Sequence, residues 1–540
     1  MQKLTFLSSA VALTLSTLVH GKDVPMDLHI VNTVLAPDGF NRSTVVANGQ
    51  FPGPLIKGNV GDRFKINVFD ELKDPSMRRA TSIHWHGLFQ KHQSEFDGPA
   101  WVTQCPIIPE ESFLYDFSVP DQSGTYWYHS HLSTQYCDGL RGPLVIYDPN
   151  DPLKHMYDVD NDDTILTIGD WYHDPAPSMF PNPKHVDPIE KATTVNGKGR
   201  YPGGPKSPLS VTSVKKGLRY RLRFISAVCG PTYNVSIDGH QMTIIEADGI
   251  ETEPLTVDSL QIFASQRYSV VVTADQPIDN YWIRVIPTGA EAGNGTNESF
   301  VGGLNAAILR YEGANNTEPT SEPIPNGVPL NEADLAPLIN PGAPGGHDIN
   351  GADYNITLTT SLDLTTGLHL INGIAYEPPK IPILLQVLSG VTDPRKLLPK
   401  GSVIGLPRNK VIQVELPGGF PHPFHLHGHA FDVIRTAGSD TYNFKNPPRR
   451  DVVNIGNPGD LVTIRFVTDN PGPWFFHCHI DWHLEAGLAV VFAEGTDDIK
   501  VDQPVDSQWQ NLCPNYYKND PDTQFEDNMF KDVSTDTVST

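Results

Sequence analysis

The chain has 540 residues with 48 prolines, 45 glycines, 39% hydrophobic residues and a formal net charge of -24. That length exceeds a single hydrophobic core and predicts about two to four domains. The acidic balance argues against a nucleic-acid partner and against anionic membranes. The Pro/Gly punctuation, with few long helical periodicities, predicts many short strands and an all-β fold.

Residues 1–21 read as a secretory signal. Lys3 supplies the positive end, Leu4 to Val19 the apolar run and Gly21 a small residue for cleavage. A membrane anchor is the alternative, but the run is short for a span and is interrupted by Ser and Thr. No other segment is apolar enough to cross a bilayer, so a secreted, extracellular protein without a membrane partner is expected. Sequons at Asn41, Asn234, Asn294, Asn297, Asn315 and Asn355 fit glycosylation.

Leu28 to Val68 reads as short strands broken by Pro37-Asp38-Gly39 and Pro52-Gly53-Pro54. His84-Trp85-His86-Gly87 follows, with Asp97-Gly98 beyond it. In a strand His84 and His86 share one face and Trp85 packs behind. One such pair is unremarkable, but Gly124 to His131 carries a second, His129/His131, on an aromatic strand. Residues 152–324 hold no such cluster. Trp171, Asp238-Gly239-His240 and the alternating stretch Leu260 to Val272 fit a spacer sandwich. The third pair is His425/His427, three residues after His422, and the fourth is His477/His479. Half of the 20 histidines lie in these stretches, counting His422 and His483. The others, such as His29, His92, His155 and His347, read as surface or satisfied structural residues.

Gly472 to His483 reads as an aromatic strand opened by a Pro/Gly cluster. Cys478 then points one way, and His477 and His479 the other, so one strand feeds two metal sites. His483 lies four residues past His479 and can swing back to the cysteine side. Thiolate plus imidazole is a soft donor set that suits copper or zinc. A zinc site or a structural cysteine is the plainer alternative. Of the five cysteines, Cys478 is the odd one out, and Cys105, Cys137, Cys229 and Cys513 can form two disulfides in any of three connectivities.

The four pairs form an internal repeat. H-x-H-Gly precedes an aromatic H-x-H strand in both halves, and His131 and His479 each stand nine residues before a leucine, Leu140 and Leu488. Overlaying the halves sets Thr81 against His422, Ser130 against Cys478 and Gln135 against His483. The N-terminal unit thus keeps the paired imidazoles but lacks the thiolate site. The overlay predicts one mononuclear Cys/His site and one eight-histidine cluster between the first and last domains. Eight imidazoles exceed the needs of one ion, and three ions sharing them keep open positions for a small ligand. A redox metal there, wired through Cys478 to a second redox site, would collect single electrons.

These stretches resemble the four copper-binding signatures of multicopper oxidases. The runs Gln135 to Leu144 and His477 to Phe492 resemble fungal laccases of the basidiomycete type in particular. The resemblance spans essentially the whole mature chain. It implies three cupredoxin-like Greek-key β-sandwich domains, at 22–151, 152–324 and 325–540. It also implies oxidation of phenols and aromatic amines with reduction of O2 to water, by a monomer with four copper ions: one type 1, one type 2 and a type 3 pair. His422, Cys478 and His483 match the type 1 ligands, with Leu488 axial and not coordinating. His84 and His425 match the type 2 ligands, and His86, His129, His131, His427, His477 and His479 the type 3 ligands. Asp97 and Asp481 match acids that deliver protons to O2. The resemblance also implies Cys105–Cys513 and Cys137–Cys229 disulfides. One departure stands out: Gly230 occupies the place where many fungal laccases carry a phenol-binding carboxylate, so weak phenol binding is expected. A ferroxidase or ascorbate oxidase of the same superfamily is an alternative. So is a copper-binding electron carrier or storage protein, which would need only the mononuclear site.

Overall fold

Strand Arg63–Asp70 shows why the chain takes up sheets. Its residues alternate outward and inward, with Phe64, Ile66 and Val68 fully buried, the period of a half-buried strand. The computed structural model describes residues 21–180, 187–288, 300–502 and 504–525. Signal residues 1–20 and the sequons at Asn294 and Asn297 lie outside the described residues. Asn41, Asn234, Asn315 and Asn355 are all exposed.

Three pairs of sheets follow one another along the chain: four strands on four, seven on five, and five on five. Each pair encloses apolar side chains from both sheets, giving three cupredoxin-like sandwiches as expected. In the first, Leu28, Phe64 and Val68 meet Trp85, Tyr128 and Leu144. In the middle one, Leu222 and Val270 meet Val235 and Ile283. In the last, Val414 and Ile464 meet Phe424 and Phe476. Trp85, Trp127 and Trp474 are fully buried. At ~25 cal/mol per Å2 over about 200 Å2, each contributes on the order of 5 kcal/mol.

The repeat is visible in the pairing. Ile56–Asn59 runs parallel to Arg141–Tyr147, which is antiparallel to Gly124–Ser130, which is antiparallel to Ile83–His86. Val403–Leu406, Ala489–Glu494, Gly472–Cys478 and Pro423–Leu426 repeat that order and those senses. His84 faces His129 in the first register, and His425 faces His477 in the second.

The strand expected over Gly472 to His483 ends at Cys478, and a short helix, Asp481–Glu485, follows. The change of structure is what returns His483 to the cysteine side, because an extended chain would carry it away at about 3.3 Å per residue.

Both expected disulfides are present. Cys105–Cys513 joins the first sandwich to the tail helix Ser507–Asn519, and Cys137–Cys229 joins it to the middle one. Cys478 is buried and outside both. No helix among the described residues is long and apolar enough to cross a membrane.

Candidate metal centres

The four H-x-H pairs meet where the first and last sandwiches abut. His84 stacks on His427 with ring centroids 4.0 Å apart, and His86 on His425 at 3.8 Å. All eight rings are buried. One nitrogen of most rings is held by a fixed acceptor. The carbonyl of Asp97 holds His84 Nδ1 at 2.7 Å, that of Ser130 holds His129 Nδ1 at 2.8 Å, and that of Asp451 holds His425 Nδ1 at 2.9 Å. The Cys478 carbonyl holds His477 Nδ1 at 2.9 Å. Asp97 Oδ2 lies 2.8 Å from His427 Nδ1, and its Oδ1 lies 3.2 Å from His84 Nδ1.

The other nitrogens of His84, His86, His129, His131, His425 and His479 are buried without a hydrogen-bond partner among the described residues. One such orphan costs about 1–3 kcal/mol, so a gathering of them fits a cation. Rings oriented through their second nitrogen are how metal-ligating histidines are held. Several triads of ligand atoms lie within 4.8 Å of one another, including His84/His86/His129, His84/His425/His427 and His131/His427/His477. Burial drives the His477 imidazole down to about 3 and those of His86, His129, His131, His425, His427 and His479 well below the ordinary value. The rings are therefore neutral and keep a lone pair for a metal.

On the other side of the same strand, Cys478 Sγ lies 3.5 Å from His422 Nδ1 and 3.7 Å from His483 Nδ1, and those nitrogens are 3.0 Å apart. The trio is buried, as is Leu488, whose N–H donates to the His483 carbonyl at 3.0 Å and whose carbonyl accepts from Cys478 N–H at 3.1 Å. The corresponding place in the first sandwich is filled differently. Thr81 and Ser130 both donate to Gln135 Oε1, at 2.8 and 2.6 Å. The three residues overlaid on the thiolate site thus do meet, as a neutral hydrogen-bonded knot with no soft donor.

Asp481 is buried near His129, His131, His477 and His479. Burial, reinforced by Glu485 and Asp170, pushes its carboxyl well above the ordinary range. Gly230 sits against Tyr172 and Trp482; a Cβ there would lie 3.4 Å from the Tyr172 hydroxyl and 3.8 Å from Trp482 Nε1, ordinary packing contact.

Four residues at these centres were not singled out in the sequence. Asp187 Oδ2 lies 2.7 Å from His483 Nε2, the edge of the ring away from Cys478. A carboxylate therefore stands beside His483 although position 230 is glycine. Burial opposes charge on the His483 ring, but Asp187 and Cys478 outweigh it and raise it to about 10 in the metal-free protein. His369, one of the histidines set aside as structural, stacks on His483 at 4.3 Å. Asp451 and Arg267 flank the cluster, and the middle sandwich is more than a spacer because it supplies Arg267. A lone Arg at a strand's start, or an Asp between two short strands, carries no periodic signal. Asp187 reaches in from a segment with no regular structure.

Sequence models described as multicopper oxidase match residues 29–151, 162–314 and 376–498. Laccase-1 of Trametes villosa is 53% identical over 532 residues, covering 97% of this chain and 100% of its own. The laccase of Phlebia radiata is 54% identical over 495 residues, covering 91% of this chain and 93% of its own. Among solved structures, Botrytis aclada laccase superposes with a TM-score of 0.79 at 30% identity, covering 93% of each chain. Fet3p, a multicopper oxidase that functions in iron import, gives the same TM-score and identity, covering 92% of this chain and 95% of its own. Fold likeness therefore does not separate a laccase from a multicopper oxidase of iron import, whereas the sequence relatives are laccases. The chain belongs to the multicopper oxidase family. Its activity is that of a laccase, an oxidase with copper in type 1, type 2 and type 3 sites.

Proposed function

We propose that this laccase is a secreted, monomeric, glycosylated enzyme that oxidises phenols and aromatic amines at the mouth formed by His483 and Asp187. Its sandwiches are bounded at 22–151, 152–324 and 325–540. His422, Cys478 and His483 would hold type 1 copper, with the Leu488 side chain beside them offering no donor. His84 and His425 hold type 2 copper, and His86, His129, His131, His427, His477 and His479 hold the type 3 pair. The donor geometry and the orphaned nitrogens support this assignment.

Copper, when bound, supplies one-electron oxidation at the mononuclear site and four-electron reduction of O2 at the cluster. The protein's own groups do the rest. Asp187, 27% exposed, keeps one oxygen on His483 and offers the other to a donor's O–H or N–H. A phenol losing an electron also loses that proton, and a carboxylate at hydrogen-bond distance accepts it. The observation that carries the reading is this contact between a partly exposed acid and the outer edge of a thiolate-site histidine. Cys478 is joined through the peptide backbone to His477 and His479, a short covalent path between the two centres. Asp481, whose carboxyl burial pushes well above the ordinary range, would supply protons to the cluster, and Asp97, braced on His84 and His427, would relay them.

O2 uptake by the copper-loaded enzyme, measured with a phenol, an aromatic amine, ferrous iron and ascorbate, tests the donor class. Phenol and amine should give the highest kcat/KM. Preference for ferrous iron would move the enzyme to the ferroxidases, and preference for ascorbate to the ascorbate oxidases.

A further inference from the structure

The middle sandwich holds none of the proposed copper ligands, yet one of its arginines ends beside two of them. Arg267 opens the strand Arg267–Thr273 and is fully buried. Its guanidinium grips Asp451 with both arms, Nη1 to Oδ1 at 2.7 Å and Nη2 to Oδ2 at 2.6 Å. Nε donates to the Thr125 carbonyl of the first sandwich at 3.1 Å, and Nη1 also donates to the Ser265 carbonyl at 3.0 Å. One planar group thus touches all three sandwiches.

Asp451 in turn holds two imidazoles. Its carbonyl lies 2.9 Å from His425 Nδ1, and its Oδ1 lies 3.3 Å from His86 Nε2. Those two rings stack on each other, and their remaining nitrogens, His425 Nε2 and His86 Nδ1, are among the orphans. A neighbouring pair, Arg450 with Asp248 at 2.9 Å, crosses the same boundary in the opposite sense. The backbone leaves room for the grip. A Cβ on Gly87 would lie 2.5 Å from Arg267 Nη2 and 2.9 Å from Asp451 Oδ2, and Gly87 has a φ of +90°. The glycine that closes the first H-x-H motif is thus the space the ion pair passes through.

We propose that Arg267 is a positioning residue for the trinuclear centre: its two-armed grip on Asp451 sets the orientation of His425 and His86, and so controls retention of type 2 copper. This rests on the ligand assignment proposed above. A fork is required because a lysine ammonium is a point charge that cannot hold both carboxylate oxygens in one plane.

The test compares Arg267→Met, Arg267→Lys and, as a control, Arg284→Met, which breaks a middle-sandwich pair with Asp238 remote from the cluster. Copper content, the type 2 electron paramagnetic resonance signal and the blue absorbance are read on each purified protein. Loss of an outer partner of a ligand typically lowers metal affinity by about 10- to 100-fold. Arg267→Met should therefore lose type 2 copper, with the type 3 copper on His86 weakened as well, and keep the blue band. Arg267→Lys should retain more copper but with a shifted type 2 spectrum, and Arg284→Met should match the parent. An unchanged type 2 signal in Arg267→Met, or equal loss in Arg284→Met, overturns the proposal. If Arg267→Met does not fold, Asp451→Asn breaks the same grip from the other side, and an unaltered type 2 signal there overturns it equally. A parent enzyme without type 2 copper would instead overturn the ligand assignment.

Discussion

At the scale of single residues, the mononuclear site turns on Leu488 and Asp187. A thioether in the axial place would donate density and favour the oxidised metal, whereas leucine offers none, and the axial group tunes the potential. Leu488→Met should lower the type 1 potential and slow the hardest-to-oxidise phenols first, while costing under about 1.5 kcal/mol of stability. A redox titration of the folded, copper-replete variant checks this, and a potential unchanged or raised would remove Leu488 from the axial role. Asp187→Asn keeps the side-chain shape but loses the proton acceptor. A hydrogen bond to a charged group is worth about 1.5–3 kcal/mol, so KM for phenols should rise by about 10- to 100-fold and that for a non-phenolic dye should hardly move. A Cβ at position 230 would meet only ordinary packing contacts, so adding Gly230→Asp should recover part of the loss. Equal effects on both kinds of donor would show that Asp187 braces His483 without meeting substrate.

The element that matters most is the strand Gly472–Cys478, whose two faces turn towards the two proposed centres. Cys478→Ser leaves its alternation and both disulfides in place but removes the soft donor. The variant should be secreted with its disulfides intact, colourless and inactive. Absorbance and O2 uptake check it, and a blue, active serine variant would remove Cys478 from the type 1 site. This strand was legible in the sequence because period-2 alternation is a local property, and the repeat multiplied the signal until Thr81, Ser130 and Gln135 could be matched to a vacated site. The helix turn at Asp481–Glu485 was less legible, since the aromatic run continues through it. Asp187, His369 and Arg267 were not legible at all. Asp187 is 296 residues from His483 and Arg267 is 184 from Asp451, and no local pattern encodes a contact between separate sandwiches.

For the whole molecule, buried acids set the pH at which the fold is firmest. Burial raises Glu95, Glu251 and Asp432 each to about 7. Each of these binds a proton more readily folded than unfolded, so its stabilisation is complete below the unfolded value of about 4 and is lost as pH rises through about 7. Glu246 runs the other way: despite burial, Arg221 and Arg223 hold it down at about 2. Its contribution is present above about 4.5 and is lost as pH falls through about 2. The neutral cluster imidazoles also lose their contribution as pH falls, beginning below about 6.5. Thermal melts across pH should therefore peak between about 5 and 7 and decline towards 8, as mounting negative charge also requires. A Tm that climbs steadily to pH 8 would contradict this. The junction between the first and last sandwiches has a further consequence, in time rather than space. Asp97 and His427, which touch across the cluster, are 330 residues apart in sequence, and a ribosome delivers about 5–20 residues per second. For tens of seconds the early imidazoles exist with nothing to face, and the cysteine that closes the loop from Cys105 arrives later still. Metal loading is thus an act of the finished chain. The shared cluster can be completed only after the last sandwich has been made.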